Sequence, residues 1–328
     1  ALSPGVRTVY LAPDGVYNKI SLNSLYNTDG ATFLLDEVNL HMLSSTREFL
    51  DIKANEKPSS DRPLAVLLGY PNYSTVKPAN KQTETTSPTY VADALKPYSA
   101  SSLDLQKDSY DFQPLPGTEA EVNFIENLMM EHTDWRVEKL TSSAASEENI
   151  KRMLIPDVLH IATHGYFLSD LPARQDQKAF GIHMQNIEAN PLLRSGLLLA
   201  GAANRPATQD SLNLEAEDGV LTAYEAMNLN LSGTQLVVLS ACETALGEVK
   251  NGEGVYGLQR AFLVAGAKSV LMSLWKVSDE STTELIKIFY QNWLSGQDKF
   301  SALANAQRSI REKYEEPYHW APFVLIGT

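Results

Sequence analysis

Short apolar segments rich in branched side chains alternate with longer amphipathic segments through the second half of the chain. The apolar segments predict strands at 64–70, 157–163, 235–240, 268–274 and 322–327. Between them, apolar positions at helical spacing predict helices over 119–131, 254–265, 279–294 and 299–313. Thr118 followed by Glu121 resembles a capping box for the first of these helices. This order of elements predicts an α/β fold with a mainly parallel sheet sandwiched by helices.

The pattern changes at the start of the chain and at two polar stretches. Alternating positions at 7–12 and 33–43 predict a small β-rich N-terminal extension over 1–60, ahead of a core over 61–328. Six prolines among many Ser, Thr and Lys residues predict a long surface loop at 71–116. A second long loop is expected at 169–217, interrupted by a short strand at 196–200.

Composition narrows the classes of partner. Hydrophobic residues make up 43% and charged residues 20% of the 328 residues, which is ordinary for a globular enzyme. The net charge of -13 argues against direct nucleic-acid binding and favours a cationic substrate segment. No apolar run reaches the ~18 residues of a membrane span, so we expect a cytoplasmic protein that does not bind membranes. Because the chain opens on Ala1 instead of Met, we expect it to be a piece of something longer.

A cysteine and a histidine each follow a predicted strand. The single cysteine, Cys242, comes directly after the strand at 235–240, and His164 directly after the strand at 157–163. If the strands are neighbours, the imidazole can activate the thiol as a nucleophile, and the N–H groups of Gly165 and Cys242 can bind an oxyanion. A cysteine or histidine at a strand end is also typical of a merely buried residue. His160, inside the strand, is expected to be buried and hydrogen-bonded.

These residues occur in a series of motifs that extends over nearly the whole chain. In order they are residues 13–15 (PDG), 115–121 (LPGTEAE), 160–165 (HIATHG), 218–222 (DGVLT), 239–244 (LSACET), 252–255 (GEGV), 273–275 (SLW) and 320–324 (WAPFV). The series resembles the CHAT family, bacterial caspase-like and separase-like domains often fused to tetratricopeptide repeats. The resemblance implies a caspase-like fold, peptidase activity, and a dyad of His164 and Cys242.

The resemblance leaves substrate preference open. In separases an acidic residue in the segment that resembles 274–279 binds a basic side chain of the substrate; Asp279 matches one acidic position, whereas Lys276 replaces another. The other interpretation of Asp279 is an acid that complements a helix dipole. Glu243 and Glu253 are further candidates for substrate contacts. The interval from His164 to Cys242 exceeds the about 50 residues typical of caspases, and the excess lies in 169–217.

The sequence gives little support to a dinucleotide-binding site or a metal site. Residues 252–257 match the dinucleotide fingerprint, but Ser240, where the preceding strand ends, is too distant for a tight strand-to-helix turn. The six histidines and Cys242 show no metal-ligand spacing, so no metal or cofactor is expected. We therefore predict a cysteine endopeptidase that cleaves a specific protein substrate. Its control is expected from a regulatory partner, a tetratricopeptide-repeat region outside this chain, or cleavage within 71–116 or 169–217. The alternative is a catalytically silent interaction module.

Overall fold

The computed structural model describes most of the predicted core. The described residues are 5–29, 31–50, 62–74, 112–168, 178–179, 182–183, 186, 190–204, 217–241, 248–250, 254–275 and 279–328. Most of the predicted loop at 71–116, and much of that at 169–217, lies outside these ranges.

The predicted strands and helices occur in the predicted order, together with elements that were not predicted, among them the strand Arg136–Ser142 and the helix Glu147–Arg152. The strands are β1 (Thr8–Leu11), β2 (Tyr26–Asn27), β3 (Thr32–Phe33), β4 (Asn39–Met42), β5 (Leu64–Pro71), β6 (Arg136–Ser142), β7 (Val158–Ala162), β8 (Gly165–Phe167), β9 (Lys178–Ala179), β10 (Ile182–His183), β11 (Ser195–Leu198), β12 (Val220–Thr222), β13 (Leu236–Ser240), β14 (Glu248–Lys250), β15 (Gly254–Tyr256), β16 (Ser269–Ser273) and β17 (Phe323–Gly327). The α-helices are α1 (Leu34–Glu37), α2 (Pro116–His132), α3 (Glu147–Arg152), α4 (Ala223–Ala226), α5 (Leu258–Val264), α6 (Asp279–Leu294), α7 (Lys299–Lys313) and α8 (Pro317–Trp320).

Eight strands form one central sheet in the order β1-β4-β17-β16-β13-β7-β5-β6. Every neighbouring pair is parallel except β16 and β17. The predicted mainly parallel sheet flanked by helices is confirmed. A smaller antiparallel sheet, β12-β11-β8, continues from the end of β7.

Alternation along the buried strands divides the apolar side chains between two faces. One face packs against α2, α6, α7 and α8, and the other against α4, α5 and the small sheet. Each fully buried Leu, Ile or Phe stabilises the fold by about 1.5–3 kcal/mol. In β7 the positions of Val158, His160 and Ala162 all face α2 and α6, which places a polar ring inside an apolar layer.

The N-terminal segment extends the central sheet. β4 pairs in parallel with β17 through Met42 and Ile326, and β1 forms the edge next to β4. Within the run predicted to be β-like at 33–43, the first part forms the short helix Leu34–Glu37, and only Asn39–Met42 forms the strand β4. Its Asp36 carboxylate accepts two hydrogen bonds from Arg311 of α7, and this contact lowers the pKa of Asp36.

The predicted capping box at Thr118 and Glu121 is wrong. The helix begins earlier, at Pro116, whose ring occupies the first turn, where its missing N–H costs nothing. Thr118 therefore lies inside the first turn and donates a hydrogen bond to the Leu115 carbonyl (2.7 Å). Glu121 is left to make long-range contacts.

The helix predicted at 254–265 begins later than expected. Residues 254–256 form β15, which pairs antiparallel with β14, and α5 begins only at Leu258. The described part of the glycine motif, residues 254–257, therefore contains a hairpin strand and the residue before α5. A dinucleotide site would instead have the helix follow its first strand through a tight turn.

No helix within the described ranges is both long and apolar enough to cross a bilayer.

Glu147, at the start of α3, is a carboxyl with only 1% of its side chain exposed. It accepts a hydrogen bond from the Gly219 N–H (3.1 Å) and pairs with Lys151 at 2.5 Å. Burial, the largest influence, raises the pKa of Glu147 to about 8, and the nearby Glu225 carboxylate adds to the effect.

Replacement of Glu147 with glutamine should change how stability depends on pH. The folded-state pKa lies above the unfolded value near 4.5, so the contribution of Glu147 is fully present below that value and is lost as pH rises toward 8. From pH 5 to pH 8, the free energy of unfolding of E147Q, measured in urea, should rise relative to that of the wild type by roughly 1 kcal/mol or more. Glu148→Gln, at the exposed neighbouring position, is the control. If the free energies of unfolding of wild type and E147Q depended on pH in the same way, the expectation would be contradicted.

Candidate active site

The strands that precede the predicted dyad are hydrogen-bonded neighbours. β7 and β13 run in parallel with Ala162 opposite Ser240, so both end at the same edge of the sheet. His164 follows two residues after Ala162, and Cys242 follows two residues after Ser240. The condition on which the predicted dyad depends, that the two strands are neighbours, is met.

The described residues include only part of the predicted site. His164 and Gly165 are described, whereas Cys242, Glu243 and Glu253 lie outside the described residues. Asp279 is the first residue of α6, and its side chain is also outside them. The contact between Cys242 and His164 therefore stays a prediction, as do the roles of the three acidic residues.

The His164 ring is held by a backbone carbonyl. Its Nε2 lies 2.9 Å from the Gln113 carbonyl oxygen, which can only accept a hydrogen bond. The hydrogen is therefore on Nε2, and the lone pair that can take up a proton is on Nδ1. The carbonyl fixes both the orientation of the imidazole and its tautomer.

The backbone of His164 is held by a relay of hydroxyl groups. The His164 N–H donates to Tyr73 OH (3.4 Å), and Tyr73 OH lies 2.9 Å from Thr163 Oγ1. Because the Thr163 hydroxyl donates its one hydrogen to the Leu198 carbonyl, Tyr73 donates to Thr163. Burial raises the pKa of Tyr73 to about 12, so it stays a neutral donor.

Both ends of the predicted loop at 71–116 reach this histidine, which corrects the interpretation of the whole segment as surface loop. Tyr73 is only 2% exposed and Phe112 is also buried; their rings pack edge to face at 5.8 Å. The Tyr73 ring lies 5.3 Å from that of His164. Composition alone misses these residues because two buried aromatics are outnumbered by polar neighbours.

Gly165 begins β8 and lies opposite Leu197 of β11. The residue pairs at the two ends of this ladder are hydrogen-bonded. The Leu198 N–H donates to the His164 carbonyl (2.9 Å), and the Leu168 N–H donates to the Arg194 carbonyl (2.7 Å). Bonded and non-bonded pairs alternate in antiparallel ladders, so Gly165 and Leu197 form a non-bonded pair. The Gly165 N–H therefore points away from β11.

A buried polar network lies beneath the strand ends. Glu121 Oε2 accepts a hydrogen bond from Ser240 Oγ (3.1 Å), and Oε1 lies 2.9 Å from His160 Nε2. His160 Nδ1 lies 3.2 Å from Tyr290 OH, whose pKa is raised well above its usual value by burial and then by the Glu121 charge. His160 is 0% exposed, as expected for an in-strand structural residue.

Glu121 reaches Ser240 and His160 because β5, which lies beneath the start of α2, carries no side chain at Gly69. A Cβ atom at Gly69 of β5 would lie 2.8 Å from both the Thr118 carbonyl oxygen and Val122. The glycine lets the first turns of α2 approach the strand. Sequence reasoning missed Glu121, although a carboxylate one turn after a Pro-Gly pair, in line with apolar positions, is an available signal.

A small cavity of about 40 Å³ opens at the same edge of the sheet. Its polar lining includes Thr118, Glu121, Thr163, Ser240 and Ser273, and Trp275 forms part of the wall. Among the residues that the structure describes, no cluster of three His, Cys, Asp or Glu side chains is arranged to hold a metal ion.

The central sheet, its flanking helices and the placement of His164 at a strand end define a caspase-like α/β fold. The CHAT domain family model matches residues 1–328, so the chain belongs to the CHAT family.

Two mammalian proteins are similar to part of the chain. Tetratricopeptide repeat protein 28 of Mus musculus and of Homo sapiens are each 28% identical to the chain over 227 residues, which is 67% of this chain and 9% of the relative. The chain thus corresponds to a small part of these proteins. Because both are mammalian, the predicted bacterial origin stays a prediction.

Two solved structures are similar in fold. Separase from Saccharomyces cerevisiae, in its complex with securin, matches with a TM-score of 0.50 and 11% identity, over 97% of this chain and 15% of separase. The Arg-specific cysteine proteinase gingipain R matches with a TM-score of 0.48 and 10% identity, over 100% of this chain and 59% of gingipain R.

Proposed function

We propose that the chain is a cysteine endopeptidase in which Cys242 is the nucleophile and His164 the general base and acid. The observation that carries the proposal is the register of β7 and β13, which brings the residues before His164 and Cys242 to one edge of the sheet. Ligands bind at this edge in open α/β sheets. Because His164 Nε2 donates to the Gln113 carbonyl, the proposal assigns the role of base to Nδ1.

The proposed reaction has two stages. His164 takes the Cys242 proton, Sγ attacks the scissile carbonyl carbon, and the oxyanion is stabilised by the N–H groups of Gly165 and Cys242. The amine leaves with the proton from His164. Water then attacks the thioester, gives its proton to His164, and releases the acid and the Cys242 thiol. The outward direction of the Gly165 N–H supports its assignment to the oxyanion site.

We also propose that the peptidase acts on a specific protein and is controlled by a second protein or an attached repeat region. The mammalian relatives are tetratricopeptide repeat proteins, and the separase neighbour is bound to securin. Asp279, Glu243 and Glu253 remain proposed substrate contacts.

Covalent labelling tests the proposal. A peptidyl acyloxymethyl ketone should form a thioether with Cys242: the Sγ–C bond forms and the C–O bond to the acyloxy group breaks, releasing a carboxylate. Mass spectrometry should locate the adduct at Cys242, and Cys242→Ala should be unlabelled. A peptide library should be cleaved by the wild type and not by C242A. An unlabelled, inactive wild type, with and without a tetratricopeptide-repeat partner, would favour the interaction module.

A further inference from the structure

The cavity at the strand ends lies beside the proposed dyad. Thr163 and Ala241, which immediately precede His164 and Cys242, both line it. A single water needs about 10–15 Å³ of such space, so about 40 Å³ accommodates the last few atoms of one side chain. The walls hold one carboxylate and several hydroxyl groups.

The hydroxyl groups of the cavity offer acceptors to a ligand. Six of the lining residues carry a hydroxyl group, and four of these groups already donate their one hydrogen within the protein. The four donate as follows: Thr118 Oγ1 to the Leu115 carbonyl (2.7 Å), Thr163 Oγ1 to the Leu198 carbonyl, Ser240 Oγ to Glu121 Oε2 (3.1 Å), and Ser273 Oγ to the Ala241 carbonyl (2.7 Å). Thr118 Oγ1 also accepts from the Tyr70 N–H (2.9 Å), and Thr163 Oγ1 accepts from Tyr73 OH (2.9 Å), so each of these two keeps one lone pair. These four hydroxyl groups can therefore only accept a further hydrogen bond, which favours a hydrogen-bond donor as the incoming group.

Glu121 gives the cavity its charge. Its side chain is 2% exposed, so its field is screened less than that of a surface carboxylate. An acidic substrate side chain would face this carboxylate and would be repelled. A cationic one would be attracted, in line with the net charge of -13.

We propose that this cavity receives the cationic end of a Lys or Arg side chain of the peptide substrate, and that Glu121 is the residue that selects it. The inference rests on the proposed function. Ser240, which donates to Glu121, lies two residues before Cys242 in the chain, and the proposal assigns the bound side chain to the residue whose carbonyl is attacked.

Three acyloxymethyl ketones that differ only in the side chain next to the reactive ketone test the inference. They carry lysine, norleucine (the neutral analogue of lysine) or glutamate. In the wild type, Cys242 should be modified at least about tenfold faster by the lysine probe than by the norleucine probe, and slowest by the glutamate probe. A norleucine rate equal to or above the lysine rate would overturn the inference and leave the peptidase intact.

Glu121→Gln identifies the selecting residue. It removes the charge at nearly constant size, so the ratio of lysine to norleucine rates should fall about tenfold, toward one. The ratio is taken within one variant, so any loss of folded protein cancels. Glu147→Gln, at a buried carboxyl outside the cavity lining, should keep the wild-type ratio. An unchanged ratio in E121Q would overturn the role of Glu121. If no probe modifies Cys242, the proposed function itself fails, and this inference with it.

Discussion

Replacement of His164 with alanine should slow the modification of Cys242 by a peptidyl acyloxymethyl ketone by about 10²–10⁴-fold. An ordinary cysteine thiol has a pKa of about 8.5, so only a minor fraction is thiolate at neutral pH. In the proposed dyad the imidazole raises the thiolate fraction by accepting the proton on Nδ1, because Nε2 carries the hydrogen that is donated to the Gln113 carbonyl. Labelling rates measured at a series of probe concentrations give the second-order rate constants of the wild type and of His164→Ala, which are then compared.

The control for this experiment is a histidine of the same chain outside the site. His132 is the last residue of α2 and is exposed, so His132→Ala should react at the wild-type rate. Thermal melts by circular dichroism should show that His164→Ala keeps its fold, since the ring is only partly buried. Equal labelling rates for wild type and His164→Ala, with Cys242 modified in both, would refute the dyad.

Replacement of Trp320 with alanine should destabilise the fold by about 3–5 kcal/mol. The indole is 0% exposed and meets the Phe33 ring edge to face at 5.0 Å, while its Nε1–H donates to the Glu315 carbonyl (3.2 Å). The substitution removes these contacts and leaves a cavity between the N-terminal segment and α8. Urea unfolding followed by circular dichroism gives the change in midpoint at constant slope.

Tyr318, two residues earlier in α8, provides the matched control. Its side chain is 47% exposed, so Tyr318→Ala should change the free energy of unfolding by no more than about 1 kcal/mol. A Trp320→Ala protein that unfolds at the wild-type midpoint would show that the ring does not fill the core as described.

The strands of the core were predictable because their apolar runs carry local information. Residues 235–240, buried on both faces, correspond to β13, which is buried throughout. The predicted helix at 279–294 matches α6, whose bounds are set by its own polar start and apolar periodicity. Pairing of β7 with β13, by contrast, was a condition on which the proposed dyad depended, and the sheet order satisfies it.

Local motifs were less reliable wherever a single residue had two possible uses. The spacing of Thr118 and Glu121 fits a capping box for a helix that begins at 119. The helix begins at Pro116 instead, so the Glu121 carboxylate lies beyond its first turn and accepts a hydrogen bond from Ser240. Tyr73 is one aromatic in a polar stretch, and only the return of the chain past His164 explains its burial.

The sequence by itself determined the α/β class and five strands of the central sheet, β5, β7, β13, β16 and β17, since hydrophobic period is a property of short segments. It also predicts His164, from its position at a strand end, as the catalytic histidine in preference to His160. The surroundings of that histidine were decided by the tertiary structure. The Gln113 carbonyl that orients it is a backbone group, which every residue possesses, so no pattern of side chains can reveal it. Likewise, Glu121 and Ser240 meet only because α2 packs against the sheet, a contact between segments more than a hundred residues apart.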